Sequence, residues 1–283
     1  MVMTQRCMDA VDLLMDLEHD SAMALIAAEE KQNPNNATIH YLYNLSDFLT
    51  TVVSEDESFF ARQEDEKARR MKAILKVSDS NPYRKFALAE INLQWAFSRL
   101  RFGEYFKAAL EINRAFHLLE QNIEEHPDFL PNLKGMGLLH ALIGTVPEKY
   151  RWATDLMGVN GTISVGLNEL EKVVNECDRN PEFRFLKKES LFLYSFIVLN
   201  LTSDLSVLEK VSEPLNRLSM ESPMIAFAHA SHLSETGKTE DAIEILQNCG
   251  NTNRPLRFHY LDHLLGSMQL YNMDQDSKGA LEH

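Results

Sequence analysis

The sequence predicts an all-α protein, an α-α superhelix made of stacked antiparallel helical hairpins in one domain. Three observations predict it. Apolar residues recur at steps of three and four along most of the chain, the period of a buried helical face. No stretch sustains the two-residue alternation of β-branched residues that marks a strand. Proline stops return at Pro34, Pro82, Pro127, Pro181 and Pro223, at intervals of 48, 45, 54 and 42 residues. Proline cannot continue a helix and turns its predecessor away from helical geometry, so each marks the end of a helix pair. Stops at this spacing read as stacked hairpins.

The elements follow in chain order. The first stop, Pro34, closes the earliest helix pair. Residues 56–78 read as one long helix. Phe86, Leu93, Phe97 and Leu100 form the next stripe, and Ala109, Ile112, Phe116, Leu119 and Ile123 the one after. Only Arg101-Phe102-Gly103-Glu104 separates those two helices, so they must pack antiparallel. The segment 146–159, "VPEKYRWATDLMGV", reads as an extra short helix inserted into one hairpin. Asn160-Gly161 supplies a turn with positive φ. A helix follows, with Leu170 and Val173 on its buried side. The apolar run 191–201 has eleven residues, too few to span a bilayer, and reads as a buried helix. Residues 254–271 form an amphipathic terminal helix. Residues 272–279 read as a frayed tail, and Leu281, Glu282 and His283 as a tag remnant. The folded domain is thus expected over 1–280.

Composition removes several function classes. Forty-two acidic against 28 basic residues leave a net charge of −14. Nucleic-acid binding needs a basic surface that displaces counterions, and anionic membranes attract basic ones. Cys7, Cys177 and Cys249 are far apart, so neither a disulfide framework nor a zinc site is expected. Composition assigns no compartment: a cytoplasmic protein and an exported one without its signal segment read alike.

Small residues sit at set distances from the turns. In "GEYFKA" and "GKTEDA", Gly103 and Gly237 are followed five residues later by Ala108 and Ala242. This pattern resembles the tetratricopeptide repeat, where a small residue after the turn lets two helices approach closely. Ala108 and Ala115, seven apart, match its two small positions, and Ala242 and Cys249 match them loosely. Ala22 and Pro34 keep the family's twelve-residue spacing. Gly161 and Gly166 repeat the five-residue step, putting Gly166 in the small slot. The first helices lack most of the family's aromatic and tyrosine signature. Pro147, Gly158, Gly161, Gly166, Leu167 and Leu170 also resemble a subgroup of eukaryotic tetratricopeptide-like proteins of the cytosol and organelle membranes; no function is carried over from it.

The resemblance implies a solenoid of roughly twelve to fourteen helices whose first helices line a concave groove. Helix phase places Glu90, Gln94, Asn132, His140 and Tyr194 on that groove. The expected function is a non-catalytic scaffold binding a protein or peptide there. Tyr150, Trp152 and Met157 in the insert are a second candidate, as an apolar anchor or as a cover for a distorted hairpin. The alternatives are a lipid or small-molecule pocket beside the insert, or an enzyme centred on His259 and His263.

Chemical motifs are weak. "TGKTE" lacks the upstream glycine of a phosphate loop, since His232 stands there. His259 and His263 lie one turn apart without an evident third ligand. "NMDQDSKG" carries Ser277 where a calcium loop needs glycine. No Gly-x-Ser-x-Gly elbow occurs. No catalytic residue, metal or cofactor is therefore assigned. Self-association through the terminal helix is expected, because uncapped solenoid ends tend to pair.

Overall fold

The computed structural model describes the backbone of residues 1–202, 205–249 and 256–281, and the side chains of these except 153, 205–206 and 272–281. The described residues contain fifteen α-helices and two short 3-10 segments, and no strand. In order they are α1 (Gln5–Met15), α2 (His19–Gln32), α3 (Thr38–Ser54), α4 (Glu57–Arg62), α5 (Glu64–Ile74), α6 (Pro82–Arg101), α7 (Tyr105–Glu125) and α8 (Asn132–Gly144). Then come α9 (Arg151–Met157), α10 (Ile163–Arg179), α11 (Lys187–Leu201), α12 (Leu205–Leu218), α13 (Pro223–Glu235), α14 (Thr239–Asn248) and α15 (His259–Leu281). Among the described helices, none is long and apolar enough to cross a membrane.

The punctuation is local. Pro82 and Pro223 are the first residues of α6 and α13, where proline's missing N–H costs nothing. Thr4, Asp56, Asn81 and Thr162 cap their helices by accepting a backbone N–H from Cys7, Phe59, Tyr83 and Val165. Pro214 is an exception, lying inside α12.

Three hairpin turns share one geometry. After α6, Gly103 takes φ 76° and the Glu104 N–H reaches back to the Arg99 carbonyl. After α13, Gly237 takes φ 76° and the Lys238 N–H reaches Leu233. After α1, Leu17 takes φ 59° and the Glu18 N–H reaches Leu13. Five residues beyond each turn stand Ala108, Ala242 and Ala22, all fully buried.

In the hairpin of α8 and α10 the backbones approach closely. A Cβ added to Gly166 would lie 2.3 Å from the Gly137 carbonyl oxygen and 2.8 Å from the Ala141 Cβ. Gly161 corrects the sequence reading. The left-handed turn residue is Gly158, at φ 68°, whereas Gly161 is where backbones meet, with room for no Cβ beside His140. The insert forms α9 and a 3-10 turn, as expected. Two other expectations are corrected. Residues 56–78 break into α4 and α5 at Gln63, which lets Phe60 stack on Phe102 and meet Trp95 at a tilt while Lys67 and Arg70 turn inward. The 272–279 segment continues α15 instead of fraying.

The first helix of each pair touches the first helix of the next: α1 with α3, then α6, α8, α11, α13 and α15 in succession. This row returns on itself. α1 also contacts residues 181–186 and α11. Asp9 and Asp12 on α1 and Asp16 at its C-terminal cap face the same neighbours; Arg184 pairs with the first two and Lys188 with the third, at 2.6 Å. Ser222 donates to the Met15 carbonyl at 2.9 Å.

Replacing Gly166 with alanine is expected to cost about 1–3 kcal/mol, because Cβ would force α8 and α10 apart. Gly103→Ala is expected to cost about 1–2 kcal/mol from its left-handed φ alone. Thermal melts of both variants check this; a Gly166→Ala protein melting like the parent would contradict the close approach.

Candidate functional site

Four of the five residues projected onto an open groove are enclosed. Glu90, Gln94, Asn132 and Tyr194 are each at most 3% exposed. The inner faces of α3, α6, α8 and α11 meet one another, so these side chains face neighbouring helices instead of solvent. Lys134 donates to Glu90 at 2.5 Å and to Glu189 at 2.6 Å. Gln94 accepts from Asn44 at 2.6 Å, and Asn44 accepts from the Trp95 indole at 3.2 Å. Asn122 donates to Asn132 at 2.6 Å. His140, half-buried, pairs with Glu169 at 2.7 Å. The groove assignment is corrected for the first four: they hold the stack together.

One ammonium between the buried Glu90 and the half-buried Glu189 leaves an excess negative charge. Burial, then the neighbouring Glu189, pushes Glu90 up to about 7 against the pull of Lys134. Lys134 is held above its usual value by Glu189 and Glu90, which outweigh burial. On α13, burial and then His232 push His229 down to about 4.

An open cleft exists elsewhere. It lies between α11, α13 and α15 and has a volume of about 350 Å³. Phe192, Phe196 and Leu199 from α11, Phe227 from α13, and Leu264 and Met268 from α15 give it an apolar wall. Its polar side chains are mostly tied to their own helices. Ser195 donates to the Phe192 carbonyl at 2.9 Å, Asn200 to Phe196 at 2.8 Å and Ser231 to Phe227 at 2.8 Å. Glu235 is the one ionisable side chain among the described lining residues. Such a site favours apolar or aromatic groups next to a cation.

The cleft takes no lining residue from 146–159. The insert's bulky side chains face solvent: Trp152 is 65% exposed, Leu156 81% and Tyr150 52%, and Met157 is also exposed. They are therefore no cover for a distorted hairpin. Thr154 and Val159 anchor the insert from beneath, and His117 Nε2 lies 3.0 Å from the Met157 carbonyl oxygen. His259 and His263 sit exposed on α15, and no cluster of three metal-ligating residues occurs among the described residues.

No family model, curated relative or solved structure matches this chain.

Sequence reasoning missed the cleft. Its signal was the run 191–201, apolar on all sides of α11. Leu191, Tyr194, Ile197 and Val198 fill the core, which leaves Phe192, Phe196 and Leu199 as a second apolar face.

Lys134→Met is expected to cost about 3 kcal/mol by stranding the buried Glu90 beside the half-buried Glu189. The pH dependence has two signs. Folded Glu90 keeps its proton up to about 7, above its ordinary 4.5, so its contribution is full below 4.5 and is lost as pH rises through 7. Folded His229 stays neutral down to about 4, below its ordinary 6.5, so its contribution is lost as pH falls from 6.5 towards 4. Urea midpoints across this range should flatten on the alkaline side in Glu90→Gln and on the acid side in His229→Gln. Unchanged slopes would refute these environments.

Proposed function

We propose that this protein is a non-catalytic scaffold that binds a segment of a protein partner, with its helix pairs stacked as a tetratricopeptide-like solenoid. The single observation that carries the reading is the aromatic cleft between α11, α13 and α15, offered by three successive first helices. The walls are helices packed into the core, so most of the ordering on binding falls on the ligand. Phe192, Phe196 and Phe227 provide stacking area for an apolar anchor, the usual source of binding energy in small interfaces. Glu235 selects a lysine or arginine beside that anchor. The solenoid reading is supported by the repeated turn at Leu17, Gly103 and Gly237 and by the unbroken row of first-helix contacts. The buried polar row of α6 and α8 then belongs to the closed part of the stack, and binding to its open end.

A small apolar ligand is the second reading, favoured by the cleft volume, which lies at the low end of small-molecule sites.

The test is selection of displayed peptides on the intact protein. Enriched sequences should pair an aromatic or large aliphatic residue with a basic one. Phe196→Asp should weaken them by about tenfold or more, and Glu235→Gln by only a few fold, as for an exposed ion pair. Phe196 is 46% exposed, so the variant should melt near the parent. Peptides that bind both proteins equally, or no enrichment, would sink the proposal; enrichment of small hydrophobic dyes alone would favour the second reading.

A further inference from the structure

We infer that the segment received by this cleft is the 146–159 insert of a second copy of the chain. This occupant presupposes that the cleft binds a peptide segment, and it names that segment. Two unmatched apolar features fit each other: a recess walled by aromatic rings and a projection that holds its bulky side chains in solvent.

The projection is held in place. Thr154 and Val159 are buried, Gly158 turns the chain in a left-handed conformation, and His117 fastens the Met157 carbonyl oxygen at 3.0 Å. With its inner side fixed, α9 presents Trp152 and Leu156 four residues apart, on the same face and both largely exposed. An indole and an isobutyl group together suit a recess of about 350 Å³ walled by Phe192, Phe196 and Phe227. Aromatic rings meeting edge to face add to the apolar burial.

The insert is neutral overall, with Glu148 and Asp155 balancing Lys149 and Arg151, so the charge contact is a local one, between the cations next to Trp152 and the recess carboxylate. Lys149 and Arg151 flank the projection, and Lys149 lies over the Tyr150 ring at 4.8 Å. Glu235 is exposed among the lining residues of the recess. The chain carries a net charge of −14, so two copies repel at long range and approach where opposite signs face each other. That charge also works against an anionic bilayer as the insert's target, as do Glu148 and Asp155 beside its two cations. The contact joins two different patches of one chain and is therefore heterologous: it closes as a reciprocal pair if both clefts can be filled at once, and otherwise extends head to tail. The terminal helix takes part as a wall of the recess.

The experiment uses the whole chain in sedimentation velocity, with tryptophan emission read in parallel. There are two tryptophans, and Trp95 is 5% exposed, so an emission shift to the blue with rising concentration reports Trp152 leaving water. The parent should associate. Trp152→Ala and Phe196→Asp should each weaken association at least about tenfold, a hot-spot loss, without lowering the melting temperature. An equimolar mixture of the two should form a one-to-one complex, because one variant keeps the cleft and the other the anchor. A parent that stays monomeric over its soluble range overturns the proposal, as does association indifferent to both variants or a mixture that does not pair. Binding to zwitterionic vesicles that is lost in Trp152→Ala and kept in Phe196→Asp would overturn it by assigning the insert to lipid. If the chain is monomeric while displayed peptides still need Phe196, self-docking fails and segment binding stands. If neither copies nor peptides bind, both fail.

Discussion

Lys134 is the point on which the stack turns. Its ammonium is buried with Glu90 of α6 on one side and Glu189 of α11 on the other, so three successive first helices share one cation. Removing a buried charge from water is expensive, and only the facing partners make up for it. The arrangement therefore tolerates one register of α6, α8 and α11: a shift along any axis strands a charge. Glu90 relieves the surplus by holding its proton up to about 7. The neighbouring backbone obeys the same constraint. A Cβ on Gly135 would stand 2.9 Å from Leu119 and 3.0 Å from the Glu90 carboxylate. α8 can reach both carboxylates because it carries almost no bulk there.

This constraint separates what was legible in the sequence from what was not. Turn and small-residue positions were legible, because backbone contact and left-handed φ select glycine and alanine directly; Gly166 and Ala108 show it. The turn at Leu17 was not, since a leucine held at φ 59° by its own burial looks like any core residue. The polar groups of α6 and α8 were placed on the correct face and misread as open, because helix phase says which way a side chain points and nothing about what stands opposite. Glu90 needed Lys134 and Glu189, 44 and 99 residues further along, to be understood. The α11 cleft failed for the related reason that three distant helices make it. Its trace was an apolar face in excess of what α11's own hairpin could bury.

Closure of the first-helix row also explains where a binding surface can exist. Between α3 and α11 the inner faces are consumed by ion pairs and amide hydrogen bonds. In the cleft beyond them, serines bonded to their own helices leave aromatic rings in the open. The insert does the reverse on the hairpin of α8 and α10, carrying rings outward on a fixed base. Both surfaces arise where the packing of neighbouring helices is least regular.

The pairing of Arg184 with Asp12, 172 residues apart in sequence, sets an order of events during synthesis. Hairpins close over short spans and can form as they emerge. α1 cannot complete its contacts until the segment around Arg184 has been made. At about 5–20 residues per second, that delay is roughly 10–30 s. Through that interval α1 has its own hairpin but not its ionic partners, and its three aspartates keep that face hydrated and unattractive to other nascent chains. The acidic seam that closes the finished molecule thus also shields its earliest helix while it waits.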